Sequence, residues 1–183
     1  TKGDLFLKGA NIEHFRAFAA KLMEAGVQLE QSAEGLRVWR DADTIKPVDA
    51  MTEPFPGLAT DLQSPLMALM CLADGASMIT ETIYENRFMH VPELARLGAN
   101  IVVQGNSALV RGVKQMKGAA VMATDLRASI ALVLIGLAAE GETTVSRIYH
   151  LDRGYERLEE KLRNVGANID RVSDDDAAAR AAE

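Results

Sequence analysis

The sequence predicts an α/β fold with its helices buried and its sheets outside. Three observations carry this. First, the chain repeats itself. Thr60-Asp61-Leu62 opens an apolar run ending at Leu72-Ala73-Asp74-Gly75, and Thr124-Asp125-Leu126 opens another ending at Leu137-Ala138-Ala139-Glu140-Gly141. Second, the helix-type stretches 65–73 and 130–139 are apolar nearly all round, as a helix surrounded by protein must be. Third, the strand-type stretches mix apolar with charged and hydroxyl residues. Strands covered on both faces read as near-continuous apolar runs instead. Buried helices between half-exposed sheets satisfy both patterns.

The elements follow in chain order. Residues 1–40 supply the second half of a repeat unit. Phe15, Phe18, Ala19, Leu22 and Met23 fall at helical spacing, then come Val27-Gln28-Leu29, a turn at Ala33-Glu34-Gly35 and a strand over 35–40. The first half of that unit is missing, which suggests a piece of a longer protein. In the next unit the buried helix leads to a strand-like stretch closing on Ile83-Tyr84, then Asn86-Arg87. An amphipathic helix follows with Pro92 in its first turn, where the absent N–H is tolerated. Gly98-Ala99-Asn100-Ile101 ends it, and a turn at Gly105-Asn106-Ser107 precedes a strand over 108–113. The last unit repeats the order. A strand over 143–149 closes on Ile148-Tyr149, Asp152-Arg153 follows, and Tyr155, Leu158, Leu162 and Val165 mark the amphipathic helix before Gly166-Ala167-Asn168-Ile169. Gly26, Gly98 and Gly166 stand roughly 70 residues apart, longer than solenoid periods. Each suits the left-handed position after a helix.

Length and composition fit one domain over 1–172, with an acidic tail over 173–183 expected to be disordered. The net charge of −6 and the lack of a basic patch argue against nucleic acid as partner. No apolar stretch is long enough to span a bilayer, and no secretory signal is visible, so no membrane partner is expected. The single cysteine, Cys71, rules out an intrachain disulfide framework and fits a reducing cytoplasm. It lies inside a buried-type helix, where an inert thiol is expected. His14, His90 and His150 have no metal-ligand spacing, so no metal is expected. Neither a Walker loop nor a dinucleotide fingerprint occurs, and no cofactor is expected.

The candidates for chemistry are repeated charges. Asp61 and Asp125 both follow Ala-Thr at the mouths of the buried helices. Capping of free backbone N–H groups alone would account for either. A carboxylate in a cleft can also take a proton from a substrate hydroxyl, and repetition lets the two face one point. Arg87 and Arg153 occupy the same place in successive units. One such arginine would read as a surface group paired with Glu85 or Asp152; two suggest a shared task. Guanidinium forks bind carboxylate or phosphate through paired hydrogen bonds. Arg127, two residues past Asp125, adds a third near a helix start, itself favourable to anions. The set suits a small, multiply charged anion beside a hydroxyl substrate.

Longer segments carry a resemblance. Ala-Thr-Asp-Leu-Gln at 59–63, Ile-Thr-Glu-Thr-Ile-Tyr-Glu-Asn-Arg-Phe-Met-His at 79–90, Ala-Thr-Asp-Leu-Arg-Ala-Ser at 123–129 and Ile-Tyr-His-Leu-Asp-Arg-Gly-Tyr-Glu-Arg at 148–157 resemble the enolpyruvyl transferase family. The resemblance is to its branch acting on UDP-N-acetylglucosamine, over about 1–172, the C-terminal portion only. It implies an inside-out α/β barrel domain built from βαβαββ units. It also implies transfer of enolpyruvyl from phosphoenolpyruvate to the sugar 3-hydroxyl, with release of phosphate, in peptidoglycan synthesis. By the same resemblance Asp61 binds and deprotonates the hydroxyl and Ile83 contacts the UDP-sugar through its backbone. Arg87 and Arg153 grip the carboxylate and phosphate of phosphoenolpyruvate, Asp125 is a catalytic acid beside the reacting carbons, and Arg127 is a nearby supporting arginine. Ala59 stands where the family usually has proline, and Ser64-Pro65 replaces the commoner Ala-Gln. The family's catalytic loop belongs to an N-terminal domain that this sequence lacks. That domain is the expected partner, and the chain alone is expected to be inactive. The sibling enzyme acting on shikimate 3-phosphate and a non-catalytic anion-binding module are the alternatives.

Overall fold

The repeat units fold as elements in the order β1 (Asp4–Lys8), α1 (Arg16–Glu24), β2 (Gln28–Gln31), β3 (Gly35–Trp39), β4 (Ala50–Met51), α2 (Gln63–Met70) and β5 (Ala76–Thr80). Then come α3 (Val91–Arg96), β6 (Asn100–Gln104), β7 (Ser107–Arg111), β8 (Ala120–Met122), α4 (Leu126–Gly136), β9 (Thr144–Ser146), α5 (Tyr149–Asp152) and α6 (Leu158–Asn164). Single 3-10 turns occupy Ile12–Phe15 and Thr60–Leu62. This computed structural model describes residues 3–173, so the acidic run Asp174-Asp175-Asp176 lies outside the described residues.

The strands form three sheets, ordered β1-β3-β2, β4-β5-β7-β6 and β8-β9. In the middle sheet β4 runs parallel to β5, while β5-β7 and β7-β6 are antiparallel. Parallel neighbours need a crossover, and α2 supplies it between β4 and β5 as α4 does between β8 and β9. The hairpins β2-β3 and β6-β7 pair antiparallel, as their turn residues predict. Among the described residues the three sheets stay separate and do not join into a closed barrel of strands.

Burial follows the polarity of the sequence. On α2, Leu66, Met67 and Met70 are fully buried, and on α4 so are Ala131 and Leu132. Leu134 is the exception on α4 and stays open to solvent. Around this pair pack Ile79, Leu94, Leu97, Val110 and Met116. Outer strands are exposed by contrast: Phe6, Val102 and Val103 all face solvent. Ile130, Val133 and Leu151 form a smaller cluster with Tyr155, Leu158, Leu162 and Ile169 around the last unit.

The helix-ending glycines behave alike. Gly26, Gly98 and Gly166 take φ of 98°, 94° and 96°. In each case the next residue's N–H reaches back to a carbonyl five residues earlier: Val27 to Leu22, Ala99 to Leu94 and Ala167 to Leu162, at 2.9, 3.1 and 3.0 Å. Only glycine enters that left-handed position without a Cβ penalty.

Two features differ from the pattern reading. Asp4–Lys8 forms β1 against β3, a strand with every residue exposed and so with no burial alternation to announce it. The strand expected over 143–149 stops at Ser146, because Arg147 takes φ 57° and turns the chain into α5. Ile148-Tyr149 therefore starts a helix, and Ile83-Tyr84 likewise lies past the end of β5.

The layer order makes a prediction for stability. Leu132→Ala, between the central helices, should cost about 2–5 kcal/mol in urea unfolding. Val102→Ala, on the exposed β6, should change stability by about 0.5 kcal/mol or less. Equal costs at the two positions would contradict helices as the core.

Candidate active site

The site grows out of the buried helices. A helix with no polar face exposes polar backbone only at its ends, and α2 and α4 bring their N-termini together. The Ser64 hydroxyl at the start of α2 donates to the Arg127 carbonyl at the start of α4, at 2.8 Å. The positive ends of two helix dipoles therefore open on one edge of the core.

The paired aspartates take different tasks at that edge. Asp125 is the N-cap of α4, its carboxylate accepting from the N–H of Arg127 at 2.8 Å and of Ala128 at 3.0 Å. Asp61 lies in the 3-10 turn before α2 and caps nothing. Its carboxylate, 58% exposed, instead accepts from Arg127 Nε and lies 3.8 Å from Arg87 Nη1. Capping accounts for Asp125 and leaves Asp61 available.

The arginines differ as well. Asn86 takes φ 58°, an uncommon conformation that asparagine tolerates better than most residues, and the next residue, Arg87, turns inward. Its side chain is 16% exposed, its guanidinium lies 4.6 Å from the Tyr84 ring centroid, and its Nε is buried without a partner among the described residues. Arg127 is held by Asp61, whose hydrogen bond raises its already high pKa. Arg153 ends α5 on the surface and has no carboxylate partner among the described residues. Its neighbour Asp152 pairs with Arg171 at 2.6 Å. The structure thus brings Asp61, Arg87 and Arg127 together, with Asp125, the cap of α4, beside them. Arg153 is not joined to them by any ion pair, and Ile83 is exposed on the loop after β5.

Three further side chains belong to this region. Glu81 is 3% exposed and accepts from Thr52 and Thr60 hydroxyls and from the N–H of Ile83 and Tyr84. Burial pushes its pKa up, but these hydrogen bonds outweigh that and hold it below the usual value. Tyr155 has its phenol pushed up, first by burial and then by the Asp61 charge, with Arg127 opposing. His90 is 1% exposed; burial pushes its imidazole down to about 4, against the Asp125 charge and a hydrogen bond to the Arg87 backbone. Glu81 and His90 both lie within the segment 79–90 that carries the resemblance, yet nothing in their spacing announces their partners.

Comparison with known proteins gives a consistent picture. Residues 1–162 match the family of EPSP synthase (3-phosphoshikimate 1-carboxyvinyltransferase). A UDP-N-acetylglucosamine 1-carboxyvinyltransferase of Rhodospirillum centenum is 61% identical over 96% of this chain and 41% of its own length. One of Maricaulis maris is 59% identical over 94% of this chain and 41% of its own. The chain thus spans about two fifths of the length of these relatives. Among solved structures, the enolpyruvyl transferase NikO from Streptomyces tendae superposes with a TM-score of 0.82 at 31% identity, covering 90% of this chain and 39% of that one. EPSP synthase from Acinetobacter baumannii shares the fold, at TM-score 0.77 and 16% identity, over 94% of this chain and 43% of its own.

His90 gives the region a pH signature. Its pKa falls from 6.5 to about 4 on folding, so between those values the unfolded chain binds a proton that the folded one does not. Stability should therefore drop as pH falls through that window, by about 2 kcal/mol at pH 5 relative to pH 7.5. In urea unfolding at both pH values, His90→Gln should lose most of that difference whatever its absolute stability. An unchanged difference would show that His90 is not the group responsible.

Proposed function

The chain belongs to the EPSP synthase (3-phosphoshikimate 1-carboxyvinyltransferase) family, and from that premise we propose that it supplies one half of the active site of an enolpyruvyl transferase acting on UDP-N-acetylglucosamine. Relatives at 61% and 59% identity bear that enzyme's name, which favours the UDP-sugar over shikimate 3-phosphate. The observation that carries the chemistry is Asp61, uncapping and half exposed, set between Arg127 and Arg87 where two helix N-termini meet.

In the reaction, the sugar 3-hydroxyl adds to C2 of phosphoenolpyruvate and C3 takes up a proton. The tetrahedral adduct then loses phosphate by cleavage of its C–O bond and loses a proton from C3, leaving the enolpyruvyl ether. No electrons change hands, so no redox cofactor is called for. Asp61 receives the hydroxyl proton as general base. Arg87 takes the carboxylate or phosphate of phosphoenolpyruvate with its guanidinium, whose Nη1 lies 3.8 Å from Asp61, and Arg153 grips the same substrate from the last unit. Arg127 holds Asp61 in place until the hydroxyl arrives, and the Ile83 backbone contacts the UDP-sugar. Asp125 fixes the start of α4 beside the reacting carbons. Guanidinium groups and helix ends offset charge as it moves onto the leaving phosphate.

The rest of the site comes from the portion of the relatives beyond this chain, an N-terminal domain that closes over it. The three sheets form the sides of an inside-out α/β barrel domain of βαβαββ units, a reading supported by buried α2 and α4 and exposed outer strands. No helix among the described residues is long and apolar enough to cross a membrane. The reaction proposed is a cytoplasmic step committing sugar nucleotide to peptidoglycan.

Phosphate release from phosphoenolpyruvate tests this in the full-length protein, with UDP-N-acetylglucosamine and shikimate 3-phosphate in parallel. Release is expected with the UDP-sugar alone, and Asp61→Asn or Arg87→Ala should lower kcat by about 10²-fold or more. Release with shikimate 3-phosphate alone would reassign the substrate, and release with neither would leave an anion-binding module. The 183-residue chain by itself should show no turnover.

A further inference from the structure

Glu81 is a buried carboxylate. Among the described residues it forms no ion pair, yet all its partners are hydrogen-bond donors. Its Oε1 accepts from Thr52 Oγ1 at 2.7 Å, Ile83 N at 2.8 Å and Tyr84 N at 3.1 Å, and its Oε2 accepts from Thr60 Oγ1 at 2.8 Å. Thr52 is itself fully buried and accepts from Thr82 N at 2.9 Å. Desolvating a carboxylate is expensive, and a neutral side chain would fill the space at lower cost. What an ionised carboxylate adds is an acceptor-only head that fixes the direction of every donor around it.

Those directions matter for the site. Thr60 is the residue before Asp61, so its bond to Glu81 anchors the turn that carries the candidate base. Tyr84 is the platform on which Arg87 stacks. The peptide geometry says more. A trans peptide places its C=O opposite its N–H. With Tyr84 N–H aimed at Glu81, the Ile83 carbonyl must point away from the buried carboxylate, as must the Thr82 carbonyl on the preceding peptide.

We propose that Glu81 is a positioning residue for the sugar-nucleotide side of the site, its carboxylate setting Asp61 through Thr60 and turning the Ile83 carbonyl outward as an acceptor for a substrate N–H or O–H. This rests on the transferase reading above. Gln at the same place keeps the shape. One acceptor oxygen can still receive the backbone donors, and the Thr60 hydroxyl can rotate to accept from the new amide. Ala removes every bond and leaves the Ile83 and Tyr84 N–H groups without a partner.

The test uses the full-length enzyme with phosphoenolpyruvate and UDP-N-acetylglucosamine, and measures each KM, kcat and the amide exchange of Ile83 and Tyr84. Glu81→Ala should raise the UDP-sugar KM and lower kcat, each by about tenfold or more, while the phosphoenolpyruvate KM moves by less than about threefold. Glu81→Gln should restore most of the loss. Exchange at Ile83 and Tyr84 should speed by about tenfold in the Ala variant. If Glu81→Ala does not fold, Thr60→Val should lower kcat while leaving exchange at Ile83 and Tyr84 as in the wild type. Wild-type kinetics in Glu81→Ala, equal rises in both KM values, or no rescue by Gln would overturn the proposal. If the wild type fails to turn over the UDP-sugar, the transferase reading fails instead. Exchange then decides Glu81 alone, with unchanged protection of Ile83 and Tyr84 overturning it.

Discussion

The contact between α2 and α4 is the constraint on which the rest depends. Neither helix has a polar face, so neither can turn toward water, and each is driven against the other and the surrounding strands. Such helices can present polar groups only at their ends. Because the Ser64–Arg127 bond sets the two N-termini side by side, the positive ends of both helix dipoles open at one edge. That edge is where the acidic and basic side chains gather. Burial of the helix bodies and polarity of the site are thus one fact seen from two sides.

The repeat supplied two copies of each charged position and the structure uses the copies differently. Asp125 spends its carboxylate on Arg127 and Ala128 N–H groups and so holds α4 at its start. Asp61, at the matching point, makes no cap and stays available to cations. Arg87 is drawn inward after Asn86, whereas Arg153 ends a short helix on the surface. Duplication placed equivalent residues at equivalent points; local backbone then separated a structural carboxylate from an available one, and an inward guanidinium from an outward one.

Much of this could be read from the chain, and the divide has a physical basis. Buried helices, helix-ending glycines and hairpins are written in local pattern, because burial and turn chemistry act over a few residues. β1 escaped notice because Leu5, Phe6 and Leu7 lie on an exposed strand, so no alternation marks it. The break at Arg147 escaped because a positive φ at arginine has no local signal. Asp61 and Arg127 could be named as candidates, but their mutual contact spans 66 residues of sequence and exists only once the helices pack. Glu81 and His90 lay in plain view within 79–90; what they bond to is a property of the fold. The resemblance supplied residue roles that no periodicity could have given.

The exposure of the Asp61 pair bears on how such a site can work. A fully buried ion pair would have to pay a large desolvation penalty to exchange partners, since parting the charges leaves each uncompensated. The Asp61 carboxylate is 58% exposed and the Arg127 side chain 35%, so water screens their attraction. Exposed pairs of this kind contribute on the order of 1 kcal/mol or less. A multiply charged anion arriving at the helix ends can therefore take over the guanidinium groups with little loss. Under the proposed transferase function, Asp61 would then be free at the moment a hydroxyl needs a base. The backbone beneath does not share that softness: Ser64 pins the Arg127 carbonyl, and Glu81 pins Thr60. Charges free to change partners on a backbone held by directed hydrogen bonds is the arrangement that partner exchange requires.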